Sequence, residues 1–457
     1  MTTSTLTRRS LLAGLAALPV AAQAKSADPL FSAADFRGAL DASHHGVTPD
    51  ALGADAKAFN RLLREAASRD MPVFLPPGIY RLSDIELPAN IRITGVPDAT
   101  RLVYSGEGRF IRALGARRVA LADLVIDGAN RWLADDQPGL LTFQQVEKLT
   151  LEGCEVRGAQ KFAVWAERCG GRIDGNGISG AAASAVYAVE CRDFAIRDNV
   201  VGDCGDGGIL VHRWTKGFDG TIVTGNRIAR ILAKSGGTGE YGNGINIFRA
   251  DGVQIANNHV SDCAFTAIRS NAGSNVQITG NQCLGSGETA IYSEFGFDGA
   301  MIAGNIIDGA ANGILSVNFN EGGRLAVING NLIRNLRLTA PYTQEDAFFG
   351  IGIEAESDAA VTGNVIEGAP RWGMLIGWGP YLRDVNVTGN VIRNSGVGIA
   401  ATVVEGAGHA SIRQNLFSGL SDAAIAGYRW SEKVTGDLSG AGAESFPHLD
   451  IAGNRTS

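Results

Sequence analysis

The sequence predicts an all-β fold, a single-stranded right-handed parallel β-helix (solenoid) with an N-terminal capping helix. Three observations predict it. An asparagine inside a hexapeptide such as VTGNVI recurs about every 27 residues, short alternating runs that begin Gly-Ile or Ala-Ile lie between the asparagines, and no long helical pattern separates them. A period in the twenties without helices is typical of a solenoid whose coils stack about 4.8 Å apart.

The chain opens with a segment typical of an export signal. The pair Arg8 and Arg9 precedes an apolar run, and Ala-Gln-Ala ends the segment at Ala24. The run is shorter than the roughly 20 residues that span a bilayer, so residues 1–24 are interpreted as a signal peptide rather than a stable membrane anchor. The paired arginines resemble the twin-arginine export signal, which predicts a periplasmic or secreted protein.

Residues 25–80 are predicted to form an N-terminal cap. Phe59, Leu62, Leu63 and Ala66 recur at helical spacing, so one amphipathic helix is expected here. The open end of a solenoid exposes unpaired strand edges. The helix is therefore the natural candidate to cover that end.

Residues 81–457 are predicted to be the β-helix itself. Each Gly-Asn hexapeptide is interpreted as one corner, where the asparagine is expected to adopt a left-handed backbone conformation and to bond its amide to the equivalent amide one coil away. Cys154 takes the asparagine position one period earlier, and IAGNRT at 451–456 is an imperfect last copy. The repeated asparagines are Asn176, Asn199, Asn226, Asn258, Asn281, Asn305, Asn331, Asn364, Asn390 and Asn415.

Two further motifs carry a resemblance to known proteins. Asp-Ala-x-x-x-Gly-Val at 41–47 and Pro-Val-x-Leu-Pro-Pro-Gly-x-Tyr at 72–80 resemble the start of pectate-lyase-like β-helix proteins. With its leader and its Gly-Asn repeats, the chain resembles the bacterial twin-arginine-translocated repeat proteins, whose function is uncharacterised. The resemblance covers nearly the whole chain and implies the fold, but it supplies no established catalytic residues to transfer.

Motifs of the better-known β-helix enzymes are absent from the sequence. It holds neither Gly-His-Gly with Arg-Ile-Lys, as polygalacturonases would, nor Asp-Pro-His-Asp, as alginate epimerases would. These familiar subfamilies are therefore disfavoured.

Charge and cysteine content limit the partners. A formal net charge of −7 disfavours nucleic acid. Six cysteines without a Cys-x-x-Cys pair indicate neither a disulfide scaffold nor a zinc or iron–sulfur site. Cys169 and Cys191 are expected on adjacent coils, where they could either form a disulfide or remain two buried thiols. Cys204 and Cys263 are expected two coils apart, which is too far for a disulfide. No cofactor is indicated, and calcium is left open.

Two coils are enlarged. The steps from Asn226 to Asn258 and from Asn331 to Asn364 hold 32 and 33 residues, and the extra residues fall within 230–243 and 336–349. Both insertions follow the asparagine strand and precede the Gly-Ile strand, so they are expected at the same corner, four coils or about 19 Å apart. Long loops on a rigid scaffold commonly carry function, which predicts a short walled groove suited to a linear polymer.

The alternation of the Gly-Ile strands predicts which side chains face that groove. We expect Ile245, Ile268, Ile291, Ile314 and Ile351 to point inward, which leaves their neighbours outside. The candidate catalytic residues are Glu294, Glu354, Arg269, Tyr292 and His212, and the candidate substrate-binding residues are Asn246, Asn271, Asn318, Arg249 and Glu356.

These residue types allow two kinds of chemistry on a sugar polymer. A pair of carboxylates can serve as acid and base in hydrolysis. Alternatively, Arg269 can acidify the α-proton of a uronate for a lyase or an epimerase, with Tyr292 or His212 transferring the proton. A solvated β-sheet face with ordinary polar residues is the structural alternative. We expect Glu294→Gln barely to change the melting temperature.

The leading functional hypothesis is an exported protein that binds or acts on an acidic polysaccharide in a groove along one outer sheet, as a lyase, epimerase or hydrolase. The main alternative is a non-catalytic binding or structural solenoid of the cell envelope. A third hypothesis attributes folded export to a tightly held cofactor.

Overall fold

Three long parallel sheets make up the fold of the computed structural model, which describes residues 38–50, 56–106, 108–342 and 348–457. The chain visits the sheets in turn on every coil, so neighbouring strands of one sheet lie one coil apart. The predicted right-handed parallel β-helix is confirmed. The leader at 1–24 lies outside the described residues.

Sheet I precedes the asparagine corner of each coil and has 16 strands. Its strands are Leu40–Asp41, Val73–Phe74, Asn90–Thr94, Arg118–Ala122, Lys148–Glu152, Gly171–Asp174, Phe194–Arg197, Ile222–Thr224, Gln254–Ala256, Val276–Thr279, Asp298–Ala303, Arg324–Asn329, Ser357–Thr362, Arg383–Thr388, Ala410–Arg413 and Leu449–Ala452.

Sheet II follows the asparagine corner and has 15 short strands. They are Gly78–Leu82, Thr100–Tyr104, Val125–Asp127, Glu155–Arg157, Gly177–Ser179, Val200–Cys204, Arg227–Ile231, His259–Cys263, Gln282–Leu284, Ile306–Asp308, Leu332–Arg334, Val365–Glu367, Val391–Arg393, Leu416–Ser418 and Arg455–Thr456.

Sheet III contains the Gly-Ile runs and has 15 strands, of which the last two pair antiparallel. They are Ile85–Leu87, Ile111–Leu114, Gly139–Gln144, Phe162–Glu167, Ser184–Val189, Gly207–Phe218, Asn243–Asp251, Ile268–Asn271, Thr289–Glu294, Asn312–Ser316, Ile351–Ala355, Trp372–Ile376, Val397–Thr402, Ile425–Arg429 and Glu432–Lys433. All the candidate catalytic residues lie on this sheet.

One α-helix covers the first coil. It spans Ala56–Ser68 and buries Phe59, Leu62, Leu63 and Ala66, as the spacing predicts. Its Asn60 side chain donates to the Asp84 carbonyl at 2.8 Å and accepts from the Glu86 amide at 3.0 Å, which satisfies the exposed edge of sheet III. No helix among the described residues is both long and apolar enough to cross a bilayer.

Short 3-10 turns complete the helical structure of the described chain. They are Ala42–His45, Phe319–Glu321 and Ala443–Ser445. Strands of sheets I and II already begin at Leu40 and Gly78, inside the stretch assigned to the cap.

The asparagine column is a continuous buried ladder. In each coil the Oδ1 atom accepts from both the backbone amide and the Nδ2 atom of the asparagine one coil earlier, as Asn305 does from Asn281 at 2.9 and 3.0 Å. The Nδ2 atom of Asn305 donates to the Ile278 carbonyl and to Asn331, both at 3.0 Å. The ladder begins at the Cys154 amide and ends at Asn454, which confirms both imperfect copies.

The backbone conformation of this corner differs from the expectation. The left-handed residue is not the ladder asparagine but the residue before it, such as Gly280 (φ 65°), Gly304 (φ 65°) or, where glycine is missing, Asp198 (φ 55°). Glycine accepts positive φ without strain. The Gly-Asn pair therefore divides two tasks: glycine turns the chain, and asparagine points inward to bond the next coil.

The inward column of sheet III is also shifted by two residues in one coil. Ile245, Ile268, Ile291 and Ile314 stack in register, as predicted, but the next member is Ile353. Ile351 instead pairs with Trp372 in a second apolar cluster. The tandem Gly-Ile-Gly-Ile at 350–353 allows either isoleucine to be the inward one. Stacking on Ile314 of the preceding coil selects Ile353.

We predict that Asn305→Leu lowers the free energy of unfolding by about 3 kcal/mol, because it breaks the ladder and leaves buried backbone groups of two coils without partners. Urea denaturation followed by circular dichroism measures the change. Asn386→Leu is the matched control, because Asn386 is exposed on sheet I. Equal stability of the two variants would contradict the structural role of the ladder.

Candidate functional site

The two insertions leave the same corner, between sheets II and III, as predicted. One follows the strand Arg227–Ile231 and the other follows Leu332–Arg334, and three strands of sheet II lie between these two. Their described residues cover two separate pockets on the outer face of sheet III.

The second insertion walls a pocket of about 200 Å³, here called the carboxyl pocket. Three glutamates line it. Glu354 belongs to the sheet III strand Ile351–Ala355, Glu356 follows the end of that strand, and Glu288 comes from an earlier coil. The remaining lining residues are Thr289, Tyr292, Asn312, Leu315, Val317, Asn318, Tyr342, Phe348, Phe349, Ile351, Leu375 and Trp378.

Glu354 lies within its strand of sheet III, and Glu356 follows the end of that strand, at the corner before the next strand of sheet I. Burial raises the pKa of Glu354 to about 8, and the neighbouring Glu356 adds to the effect. Burial also raises the pKa of Glu356 to about 7, although the Phe319 amide, which donates to its Oε2 atom at 2.6 Å, opposes the shift. At neutral pH the pair therefore combines a protonated Glu354 with a Glu356 near half ionisation.

The third carboxylate of the pocket is held by other coils. The Tyr342 hydroxyl, from the second insertion, donates to Oε1 of Glu288 at 2.7 Å, and the Thr266 hydroxyl donates to its Oε2 at 3.1 Å. Burial and the Glu288 carboxylate both raise the pKa of Tyr342, so this phenol stays protonated. Glu288 thus serves to anchor the insertion over the pocket.

The first insertion walls a pocket of about 460 Å³, here called the histidine pocket. Its lining residues are His212, Thr238, Gly239, Glu240, Asn246, Phe248, Arg269, Asn271 and Phe295. Burial lowers the pKa of His212 to about 4, so its imidazole is neutral at pH 7. Tyr187 and Phe248 pack against the ring with centroid distances of 5.1 and 5.6 Å, which fix its orientation.

A buried ion pair lies between the two pockets. Arg269 donates through Nε and Nη2 to the Glu294 carboxylate at 2.6 and 3.0 Å, and Asn271 donates to the same carboxylate at 2.9 Å. Burial alone would lower the pKa of Arg269, but Glu294 raises it by more. The Glu294 side chain is only 3% exposed. This burial and this partner, which the sequence could not show, argue against the expectation that Glu294→Gln barely affects stability.

The predicted site residues separate into three groups. Tyr292, Glu354, Asn318 and Glu356 reach the carboxyl pocket, and Arg269, His212, Asn246 and Asn271 reach the histidine pocket. Glu294 lies beneath, on Arg269. Arg249 lines neither pocket; its guanidinium donates to the Trp214 carbonyl at 3.0 Å and stacks on Phe248.

Sequence reasoning missed several residues that the fold brings to the pockets. Glu288 precedes its strand, and Tyr342 is 54 residues away from it along the chain. Phe295 follows Glu294 in a left-handed conformation (φ 59°) and is 41% exposed at the rim of the histidine pocket. Glu356, which was among the predicted site residues, lies two coils beyond Glu294 in the same column, because Ser293, Ser316 and Ala355 align in consecutive coils.

A bulge in sheet III makes a further contact between coils that the repeat pattern did not predict. The strand Gly207–Phe218 shifts register between His212 and Gly217, and the ammonium group of Lys216 in this bulge donates to the Gly296 carbonyl. This contact crosses the coils that carry Asn246 and Arg269. It joins the outer ends of coils that flank the histidine pocket, although the bulge itself does not line the pocket.

The six cysteines are free and buried. Cys169 and Cys191 do lie on adjacent coils, since the Arg192 amide donates to the Cys169 carbonyl at 3.3 Å, but they form no disulfide. Cys204 and Cys263 both align with Ile231 from opposite sides, which places them two coils apart, as expected.

Comparison with protein families gives one match. The family model described as "Periplasmic copper-binding protein (NosD)" matches residues 219–440, just under half of the chain. The matched part includes both insertions, the carboxyl pocket and every lining residue of the histidine pocket except His212. No curated protein matches the sequence significantly.

Solved structures share the fold. The bacteriophage phi29 gene product 12 N-terminal fragment aligns with 14% identity and a TM-score of 0.50 over 85% of this chain and 68% of its own. PfbA, a surface adhesin of Streptococcus pneumoniae, aligns with 14% identity and a TM-score of 0.50 over 87% and 94%. The catalytic unit of a GH87 α-1,3-glucanase from Streptomyces thermodiastaticus strain HF3-3 aligns with 16% identity and a TM-score of 0.49 over 94% and 70%. At these identities the similarity is one of fold alone.

The copper in the family description can be tested against the donor atoms of this chain. Copper sites use histidine, cysteine and methionine ligands. Among the described residues, no three His, Cys, Asp or Glu side chains are placed to hold one metal ion, and burial raises the pKa of all six thiols. These residues do not fit a copper site, and they form no carboxylate cage for calcium either.

Breaking the buried pair should be costly. We predict that Glu294→Gln destabilises the protein by about 3 kcal/mol, because Arg269 loses its counter-charge in a buried place. The double variant Arg269→Gln/Glu294→Gln should recover part of that loss. Glu405→Gln, which breaks an exposed arginine pair, is the control and should leave the melting temperature unchanged. A melting temperature of Glu294→Gln equal to wild type would show that the pair is not buried.

The raised pKa of Glu354 predicts a pH dependence of stability. The folded state keeps this proton up to about pH 8, whereas the unfolded carboxyl loses it near its ordinary pKa of about 4.5. Stability contributed by this group therefore falls as pH rises through that window. Glu354→Gln should gain melting temperature relative to wild type at pH 8.5 and show a smaller gain at pH 5. The surface variant Glu367→Gln should show no such trend, and the same pH trend in both variants would contradict the assignment.

Proposed function

We propose that the protein is an exported glycan-active β-helix protein that hydrolyses a polysaccharide at the carboxyl pocket. The observation that supports this best is the pair Glu354 and Glu356, whose pKa values are raised to about 8 and about 7 within one walled pocket. Glycoside hydrolases commonly use two carboxyl groups for catalysis, one protonated and one ionised.

In this proposal Glu354 is the general acid. Its proton goes to the glycosidic oxygen as the bond from that oxygen to the anomeric carbon breaks. Glu356, ionised and oriented by the Phe319 amide, assists the attack on the anomeric carbon, either as nucleophile or by taking a proton from water. Water supplies the atoms that complete both products.

The walls of the pocket suit a sugar substrate. Phe348 and Trp378 pack at a centroid distance of 5.3 Å and offer aromatic surface, while Asn312 and Asn318 offer amides. Apolar walls with a few placed polar groups are the usual composition of a ligand site.

A lyase or epimerase has less support from the geometry. Its arginine would have to meet a uronate, yet the Arg269 guanidinium is already bound to Glu294 and to the Gly239 carbonyl at 2.7 Å. His212, neutral in its pocket, also lacks a carboxylate partner to raise its basicity. Hydrolysis would instead use the carboxyl groups of Glu354 and Glu356, which form no ion pair with Arg or Lys among the described residues.

Export is part of the proposal. The leader at 1–24 has the pattern of a twin-arginine signal, and the matched family is described as periplasmic. We expect the mature protein in the periplasm or outside the cell.

The proposal predicts that the protein from Lys25 onward releases reducing ends from at least one member of a panel of neutral and uronate-containing polysaccharides. Glu354→Gln and Glu356→Gln should each lower that rate about 100-fold or more, while Glu367→Gln, with its carboxylate on sheet II, should retain it. Activity should peak between the two pKa values, because Glu356 must be ionised and Glu354 protonated.

Two results would contradict it. Unsaturated products detected by absorbance would establish a lyase instead. Binding without any turnover across the panel would establish the non-catalytic alternative, a binding solenoid of the envelope.

A further inference from the structure

The histidine pocket shares no lining residue with the carboxyl pocket, although both open on the outer face of sheet III. Asn246, Arg269, Tyr292, Leu315 and Glu354 are successive members of one outward column. Four coil steps separate the first from the last, or about 19 Å. One extended ligand along this column would meet both pockets.

Two buried polar atoms in the histidine pocket have no partner. They are Oδ1 of Asn246, a residue that is 9% exposed, and Nε2 of His212. Nearly all buried polar atoms in folded proteins form hydrogen bonds, and one left unbonded destabilises the fold. Since both atoms belong to residues that line the same pocket, a ligand entering it can complete both.

The charges around the pocket select against an anion. All three nitrogens of the Arg269 guanidinium donate hydrogen bonds. Nε and Nη2 donate to Glu294, and Nη1 donates to the Gly239 carbonyl. Glu240 lines the pocket, and the Glu288 carboxylate is 3.9 Å from Arg269. A carboxylate on the ligand would meet Glu240 on the pocket wall, and no lining residue supplies a cation that is free of a carboxylate.

The remaining walls suit the apolar face of a sugar ring. Phe248 lies on the floor and Phe295 at the rim, where its side chain is 41% exposed. Phe295 has φ 59°, the left-handed conformation that Gln145, Arg168 and Glu190 also adopt after their strands of sheet III, so it belongs to the regular corner of the coil. Its amide is held there by Asn318 at 3.1 Å. Asn318 also lines the carboxyl pocket, so one residue connects the two rims.

We propose that the histidine pocket is a second binding site for an uncharged sugar unit, whose hydroxyl or amide hydrogens bond Asn246 and His212, and that it rejects uronates. The inference rests on the proposed function in one respect, that this unit belongs to the chain cleaved at the carboxyl pocket. It narrows the substrate from acidic polysaccharides to neutral or N-acetylated ones.

Calorimetry on the mature protein tests the proposal with three hexasaccharides: an α-1,3-glucan, N-acetylated chitohexaose and hexagalacturonate. The background variant Glu354→Gln prevents turnover during titration. We expect at least one uncharged hexasaccharide to bind and hexagalacturonate not to bind. Asn246→Leu and His212→Ala should each weaken that affinity about tenfold, and His259→Ala, a histidine on sheet II, should not.

A stability measurement separates a ligand site from a structural role. Without ligand, Asn246→Leu should melt at or above the wild-type temperature, because it removes an unbonded buried oxygen and replaces it with an apolar group of similar size. Weaker binding with unchanged or higher stability supports the site. Unchanged affinity in both variants, preferential binding of hexagalacturonate, or no binding by any probe would overturn it.

The two proposals fail in different ways. Binding that depends on Asn246 and His212, without release of reducing ends by wild type, would remove the hydrolase and keep the second site. Turnover whose KM is unchanged by both variants would remove the second site and keep the hydrolase.

Discussion

The asparagine ladder is the interaction on which the rest of the structure depends. Each ladder amide bonds the coils before and after it, and the ladder runs from the Cys154 amide to Asn454. It holds the coils in register, because an asparagine displaced by one residue would leave buried donors and acceptors of two coils unbonded. Register at this corner then sets the stacking of every inward isoleucine and every outward side chain on sheet III. The outward columns are therefore as well ordered as the core.

Function on such a scaffold arises where the repeat is interrupted. The insertions after Ile231 and Arg334 and the bulge at Arg213–Lys216 each attach to another coil through a bond of their own. The bonds are Gly239 to Arg269, Tyr342 to Glu288, and Lys216 to Gly296. These bonds place loops of different coils over one stretch of sheet III. The stretch is divided in two by the Arg269–Glu294 pair. On one side burial raises the pKa values of Glu354 and Glu356, and on the other the unbonded polar atoms of Asn246 and His212 are uncharged.

The distribution of charge decides which chemistry each side supports. A single arginine faces several carboxylates here, and the pair with Glu294 takes up its charge. Glu354 and Glu356 are left without a cation, and burial then favours their protonated forms. Had Arg269 been free, the same face would favour an acidic polymer and a lyase. In the proposed function, the placement of this ion pair favours hydrolysis over a lyase, a choice that the residue types alone left open.

The sequence alone determined the period of the solenoid, the asparagine corners, the capping helix, the site of the two insertions and four of the five inward isoleucines, because each of these is a local pattern repeated many times. It assigned the left-handed conformation to the ladder asparagine instead of the residue before it. It also assigned the inward position of one coil to Ile351 instead of Ile353, because Gly-Ile occurs twice in that strand. The engagement of Arg269 and the burial of Glu294 were decided only by the tertiary structure, as was the anchoring of Tyr342 on Glu288. Contacts between side chains 25 or 54 residues apart depend on how coils stack and loops fold over them, and nothing in the spacing of the repeat specifies which of several outward polar groups will meet.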